Sequence, residues 1–158
     1  METFGRFLLR LLLVPLGAIV GLCVAVLVVT AANWDALLAL AHASAQAQAD
    51  WLFAFIIAGP VLALLFAFSA AFAFIPAAIG VLIAEVFAIR SFLYHAANGG
   101  LSAWIGWTLM QDIREEYSFL ADPKIMVAAG IAAGLAYWLV AGWTAGFWKP
   151  IGRTLQVA

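Results

Sequence analysis

Charged residues are scarce in this chain, and their scarcity is the first constraint on what the chain can be. Only 9% of the residues are charged, whereas 68% are hydrophobic and the mean hydropathy is +1.13. A soluble domain carries about 25% charged residues, so too little polar surface remains here to cover a water-soluble body. The net charge of −1 leaves no basic footprint for nucleic acid. The composition therefore predicts helices that face a lipid bilayer.

Cysteine and histidine are also nearly absent. Cys23 is the single cysteine, which excludes an intramolecular disulfide and a cysteine-rich metal site. His42 and His95 each stand alone, without a second histidine or carboxylate at ligand spacing, so we interpret both as interfacial residues. No fingerprint of a phosphate-binding loop, a zinc protease or a serine hydrolase occurs. We therefore predict no cofactor, no metal and no enzyme activity.

Long apolar segments predict four membrane-spanning helices. A helix needs about 20 apolar residues to cross ~30 Å of hydrocarbon. The predicted spans are residues 7–32, 51–74, 76–97 and 125–148, with outer loops at 33–50 and 98–124. The predicted fold class is an all-α polytopic membrane helix bundle with short interfacial helices, formed by all 158 residues as one domain.

The first span and the loop after it each have a second interpretation. Val29-Thr30-Ala31 resembles a cleavage site for a secretory signal peptide, but an apolar run of 26 residues is longer than the ~15 residues of that class. Apolar residues recur at helical spacing after Asn33, which is a candidate N-cap. Residues 33–50 are therefore either a short amphipathic helix on the outer surface or a solvated loop.

The second and third spans are predicted to separate at Pro76. Residues 51–84 contain no charge and would form a helix of roughly 51 Å, which is too long for one crossing. Proline disfavours helix at Ile75 and removes a backbone donor, which predicts a tight turn there. Asn98-Gly99-Gly100 predicts the end of the third span. Asp122 and Pro123 predict the start of the fourth, as N-cap and first helical residue.

The basic residues indicate the orientation of the four spans. Those predicted on the cytoplasmic side are Arg6, Arg10, Lys149 and Arg153. Only Arg114 and Lys124 would lie outside, so the positive-inside rule is satisfied with both termini cytoplasmic. A three-span alternative, with residues 85–124 cytoplasmic, also satisfies the rule. It leaves the apolar residues 77–84 without a membrane to occupy, so we favour four spans.

Small residues recur at every fourth position in the predicted spans. In the last span they form a glycine ridge of Gly130, Gly134, Gly142 and Gly146. Small residues let helix backbones approach closely in lipid, where apolar contacts alone do not drive association. We interpret this ridge as a packing face, and the alanine ridges of the other spans as a consequence of an alanine-rich composition.

Four polar residues inside the spans form our candidate functional set: Glu85, Arg90, Tyr94 and Tyr137. Glu85 is predicted near mid-depth of the third span, where a charge is costly. Glu85 and Arg90 lie about 140° apart on a helix and therefore do not pair. We expect Arg90 to reach the outer interface near Tyr94. Glu85 is then either protonated or satisfied by another helix, and depth along the helices indicates Tyr137 as its partner.

Residues 134–146 read GLAYWLVAGWTAG, and Ala84-Glu85 and Arg90-Ser91 precede them in the third span. These segments resemble small, uncharacterised four-helix membrane proteins of proteobacteria, except that Trp143 stands where that family has arginine. The resemblance implies the topology only, and it supplies no activity. We predict that the chain lies in a bacterial inner membrane.

Two functions are consistent with these observations. The first is a non-catalytic accessory or scaffold subunit of an inner-membrane complex, in which Glu85 fastens the bundle or contacts a partner membrane subunit. The alternative is a small transporter or ion- or proton-conducting protein that forms a homo-oligomer and uses Glu85.

Overall fold

The protein is mostly helical in the part of the chain that the computed structural model describes, residues 2–109 and 122–146. The α-helices of these ranges are α1 (Glu2–Ala32), α2 (Trp34–Ala41), α3 (Ala45–Phe87), α4 (Phe92–Leu109) and α5 (Pro123–Val140). A 3-10 turn, Gly142–Thr144, follows α5. The described ranges contain no strand, so the all-α prediction is confirmed. The predicted fourth span 125–148 is too long, because its α-helix ends at Val140. The predictions for Arg114, Lys149 and Arg153 lie outside the described residues.

Two helix starts show how local capping operates here. Asp122 accepts a hydrogen bond from the Lys124 amide at 2.8 Å, with Pro123 as the first helical residue, as the sequence predicts. The segment after Asn33 forms the short helix α2, which settles the choice between helix and loop for these residues. Asn33 holds the N-cap position of α2, but its side chain does not cap that helix. Instead the side-chain Nδ2 donates to the Val29 carbonyl of α1 at 2.8 Å.

The predicted break at Pro76 is wrong. Helix α3 continues from Ala45 to Phe87 through both Pro60 and Pro76. A proline inside a helix removes one hydrogen bond and crowds the preceding turn, whereas ending the helix there leaves several amide and carbonyl groups without helical partners. Residues 70–79 contain no polar side chain and no glycine that could satisfy those groups. Continuing the helix is therefore the less costly choice.

The turn between the second and third long helices lies at residues 88–91 instead. Ala88 adopts the left-handed conformation, with φ of 55°. The Ala84 carbonyl accepts hydrogen bonds from the backbone amides of Ala88 and Ile89, which closes the end of α3. This turn interrupts the predicted span 76–97.

The predicted stop at Asn98-Gly99-Gly100 is also wrong, because these residues lie inside α4. Their small side chains serve packing: a β-carbon at Gly99 would overlap the Gly130 carbonyl of α5. Helices α3 and α4 therefore replace the predicted spans 51–74 and 76–97, and the predicted outer loop 98–124 begins within a helix.

The long helices pack side by side in the spatial order α1, α5, α4, α3. Gly17 of α1 lies against Tyr137 of α5, and Gly21 lies against Ala133, so these two helices are antiparallel. Helices α4 and α3 are antiparallel as well, since they form a hairpin across the turn at 88–91. The first residues of α1 consequently lie beside the end of α5.

Glycines permit the closest approaches between α5, its following turn and the neighbouring helices. A β-carbon at Gly134 would overlap the His95 carbonyl, and one at Gly142 would lie 2.9 Å from the His95 ring. Gly146 has φ of 71° and lies against Ala88, so it needs both its small size and its backbone freedom. The structure places the glycine ridge inside the described bundle.

Large apolar side chains cover the outside of the described helices. Exposed fractions reach 71% at Leu12 and 72% at Phe87, whereas the buried apolar side chains are alanines and Tyr137. Among the described residues, two helical segments are long and apolar enough to cross a membrane, Leu8–Ala32 and Pro123–Val140. Length and composition thus support membrane crossing for α1 and α5.

Candidate functional site

A buried ion pair joins the first and third helices. The Arg10 guanidinium contacts the Glu85 carboxylate through Nη2 and Oε1. The two side chains are only 8% and 15% exposed, so water screens them little. An unpaired buried charge is costly, and a close opposite charge offsets much of that penalty. Arg10 therefore satisfies Glu85 from another helix, which was one of the two states predicted for this carboxylate.

The same two side chains hold the turn that follows α5. Arg10 Nη1 donates to the Ala141 carbonyl and to the Thr144 hydroxyl, both at 2.5 Å. Glu85 Oε2 accepts a hydrogen bond from the Gly146 amide at 3.3 Å. Groups at a helix end lack partners within the helix, and here a cation and an anion satisfy carbonyl and amide groups together. We call these five residues the Arg10–Glu85 cluster.

Arg90 adds a second link at the same end of the bundle. Its Nε donates to the Ala145 carbonyl at 3.0 Å, and the Trp138 indole donates to the Arg90 carbonyl at 2.8 Å. Arg90 therefore lies near Arg10, not at the opposite end where the sequence predicts it. That prediction is wrong because it measures depth along a helix over residues 76–97, which the turn interrupts.

Tyr94 and Asn98 fasten α4 to α3. The Tyr94 hydroxyl donates to the Gly80 carbonyl at 2.8 Å, and the Asn98 amide donates to the Ala77 carbonyl at 3.1 Å. Gly80 leaves room for Asn98, since a β-carbon there would overlap the Asn98 amide. Tyr94 thus links two helices, at a position one turn beyond Arg90.

The predicted hydrogen bond between Glu85 and Tyr137 is wrong. Tyr137 is 7% exposed, and its hydroxyl has no hydrogen-bond partner among the described residues. Its ring lies beside that of His95, with centroids 5.4 Å apart and planes inclined by 41°. The Tyr137 ring also lies against Gly17 of α1, and the His95 ring lies against Gly142, next to Ala141 of the Arg10–Glu85 cluster.

Sequence reasoning misses two residues of this site. His95 is predicted at an interface, but it is 2% exposed and packs between the rings of Tyr94 and Tyr137. From the sequence, Arg10 is used only to assign the orientation of the first span. A signal was available, because Arg10 is the single charge within residues 7–34 and Glu85 is the single charge within residues 51–89. Two isolated opposite charges in apolar segments are natural partners.

The Arg10–Glu85 cluster joins α1, α3 and the turn after α5 through one ion pair and several hydrogen bonds. Among the described residues, no group of three or more His, Cys, Asp or Glu side chains could hold a metal ion. His42 is exposed, and its Nδ1 lies 2.7 Å from the Leu38 carbonyl. In comparisons with known proteins, no family model, no curated protein and no solved structure matches this chain.

Proposed function

We propose that the chain is an integral protein of a bacterial inner membrane, with four membrane-spanning helices (α1, α3, α4 and α5) and both termini cytoplasmic. The antiparallel packing of neighbouring helices supports this arrangement, as does the exposure of their large apolar side chains. The topology is the one that the sequence predicts, with the cytoplasmic turn moved from Ile75 to residues 88–91.

The basic residues favour this orientation more strongly once the turn is moved. Arg90 belongs to the turn at 88–91, so it joins the cytoplasmic group. That group then consists of Arg6, Arg10, Arg90, Lys149 and Arg153. Arg114 and Lys124 remain on the outer side, which gives five basic residues against two. An excess of Lys and Arg in cytoplasmic segments is the main determinant of orientation.

Within the membrane we propose a non-catalytic role as an accessory or scaffold subunit of a larger complex. This proposal rests on two properties of α3, its length and the exposed apolar side chains near its beginning. Its 43 residues correspond to roughly 64 Å of helix, about twice the ~30 Å thickness of the hydrocarbon core. Exposed apolar side chains near its beginning are Trp51, Leu52, Phe53, Phe55, Ile56 and Ile57. Lipid covers only part of such a helix, so we assign the remainder to the surface of a partner membrane subunit.

Photo-crosslinking in living cells tests this role. A photoreactive phenylalanine analogue at Phe53 should form an adduct with a second membrane protein, because that side chain is 67% exposed near the beginning of α3. Phe87 is the matched control: it is 72% exposed on the same helix, and at the cytoplasmic end we expect it to face lipid. Adducts should therefore form at Phe53 and not at Phe87.

Two results would contradict the accessory role. Equal crosslinking at both positions, or none at Phe53, would mean that the start of α3 has no dedicated partner. An adduct that contains only this chain would point to the homo-oligomeric transporter. Glu85 argues against that alternative, since its carboxylate is already engaged by Arg10 and the Gly146 amide.

A further inference from the structure

Arg90 is an exposed cation at the end of the bundle that holds the Arg10–Glu85 cluster. Its Nε donates to the carbonyl of buried Ala145 at 3.0 Å, which fixes the plane of the guanidinium. Glu85, the single acid within residues 51–111, is already paired with Arg10, so no carboxylate of a described residue pairs with Arg90. The Arg90 side chain therefore presents a positive charge, in a fixed orientation, at the surface of the bundle.

Aromatic side chains of α4 and α5 lie beside Arg90. The Trp138 indole donates to the Arg90 carbonyl at 2.8 Å, and the Phe92 ring meets the Trp138 ring edge-on, with centroids 6.0 Å apart and planes inclined by 62°. Phe92 is 50% exposed, and Trp143, two residues before Ala145, is 58% exposed. Tryptophan is enriched where the hydrocarbon of a bilayer meets its headgroups. These contacts place the Arg90 guanidinium at the level of the lipid headgroups.

The charge at this end of the bundle favours an anion. The proposed topology assigns five basic residues to this side, against the two acids Glu2 and Glu85. Basic residues next to membrane spans attract anionic lipid headgroups, and basic pockets between spans bind them. A guanidinium is planar and donates two parallel hydrogen bonds to a phosphate, which a point charge such as lysine does not do. The chemistry of Arg90 in this position therefore fits a phosphate group.

We propose that Arg90 binds the phosphate of an anionic phospholipid in the leaflet next to the turn at 88–91. The Ala145 carbonyl occupies Nε, so Nη1 and Nη2 donate to two phosphate oxygens. The acyl chains of the lipid cover Phe92 of α4 and the Trp138 ring of α5. This inference rests on the membrane location proposed above, and it requires no partner subunit.

Native mass spectrometry of the full chain, released from mild detergent, measures the binding of added lipids. Phosphatidylglycerol is compared with phosphatidylcholine of the same acyl chains, whose phosphate is neutralised by its own choline. We expect phosphatidylglycerol to bind about tenfold more tightly, which is the effect of one hydrogen-bonded pair of charges. Equal affinities would overturn the proposal. Excess inorganic phosphate should not displace phosphatidylglycerol, and displacement would mean that the site takes a soluble phosphate and not a lipid.

A matched pair of variants assigns the lipid to Arg90. Arg90→Gln should lower the affinity for phosphatidylglycerol about tenfold. Lys124→Gln is the control, because it removes one charge from an exposed side chain at the opposite end of the bundle, and it should change the affinity by less than about twofold. Equal effects of the two variants would overturn the site.

Two features of the measurement keep its outcome clear. If Arg90→Gln fails to fold, the comparison of phosphatidylglycerol with phosphatidylcholine decides alone. Binding in micelles needs neither a partner nor an orientation in the membrane. A negative result here therefore leaves the crosslinking test at Phe53 unaffected, so the lipid site and the accessory role fail separately.

Discussion

Arg10 and Glu85 are 75 positions apart in the chain and meet beside the turn that follows α5. Such a pair adds little stability relative to a well-packed apolar pair, because desolvating two charges is costly. Its importance lies in the dependence of each charge on the other. Losing either one leaves the second buried without compensation, and it also frees backbone groups of the turn.

We predict that Glu85→Gln lowers the free energy of unfolding by about 3 kcal/mol, since Arg10 keeps its charge and loses its anion. A hydrogen bond to Tyr137, the partner expected from the sequence, would instead make the same change nearly silent, since glutamine keeps that bond. Reversible unfolding in mixed detergent micelles measures the effect. The control is Arg10→Met combined with Glu85→Leu, which removes both charges and should recover the part of the loss that comes from the unpaired Arg10 charge. A silent Glu85→Gln would show that the pair is not formed.

The sequence singles out Glu85 correctly as a residue that needs a partner, because a carboxylate in an apolar segment is costly wherever the helix ends. It does not find Arg10. Choosing a partner for Glu85 requires knowing how deep in the membrane each side chain lies. That depth is counted from the helix ends, and Pro76 makes the end of the second long helix ambiguous in the sequence. Tyr137 is chosen as the partner because depth is counted from a helix end at residue 97, which is wrong. Tyr137 nevertheless lies near the His95 ring, at the same end of the bundle as Glu85.

At the scale of helices, the turn at Ala88 determines which residues of α3 and α4 lie next to the Arg10–Glu85 cluster. Its φ of 55° brings Arg90 to the end of the bundle that also holds Arg10. The left-handed conformation costs a residue with a β-carbon about 1 kcal/mol, and glycine avoids that cost.

Ala88→Gly should therefore stabilise the protein by up to ~1 kcal/mol. Ala84→Gly is the control, because Ala84 lies in helical conformation one turn earlier and is 1% exposed. Glycine there should destabilise by ~1 kcal/mol. The same micelle unfolding assay compares the two. If both substitutions destabilise equally, the turn at residue 88 is not present.

The glycine ridge gives a second prediction at this scale. Gly134→Leu or Gly142→Leu should lower stability by about 3 kcal/mol or prevent folding, because the added side chain meets the His95 backbone or ring. Ala39→Leu on the exposed face of α2 should change stability little. Thermal aggregation in mild detergent ranks the three variants. Equal tolerance at all three positions would mean that the ridge faces lipid.

Helix content is predicted well from sequence here, and helix boundaries are not. The apolar run before Asn33 and the Asp122-Pro123 start give α1 and α5, because each carries an unambiguous local signal. Pro76 and Asn98-Gly99-Gly100 mislead, since both also fit inside packed helices. Ala88 has no sequence signal for a turn, and it packs against Gly146, a residue far along the chain that sequence patterns near Ala88 do not include.

At the scale of the whole molecule, the four long helices form a row in which α1 packs on α5, α5 on α4, and α4 on α3. Each long helix runs opposite to its neighbour, so the start of α1 and the turn after α5 lie on one side. Arg10 and Arg90 lie on that side too. The central claim is that α3 passes continuously through Pro76 and turns at residues 88–91, on the cytoplasmic face.

Cysteine accessibility tests that claim most directly. In a Cys23→Ser background, single cysteines replace Ile75, Ser91 or Lys124, and a membrane-impermeant maleimide is applied to intact cells and to opened membranes. We predict that Lys124→Cys reacts in intact cells, that Ser91→Cys reacts only after the membrane is opened, and that Ile75→Cys reacts in neither case. Reaction of Ile75→Cys in opened membranes would restore the hairpin at Pro76, and reaction of Ser91→Cys in intact cells would invert the topology; either result contradicts a continuous α3 that ends on the cytoplasmic side.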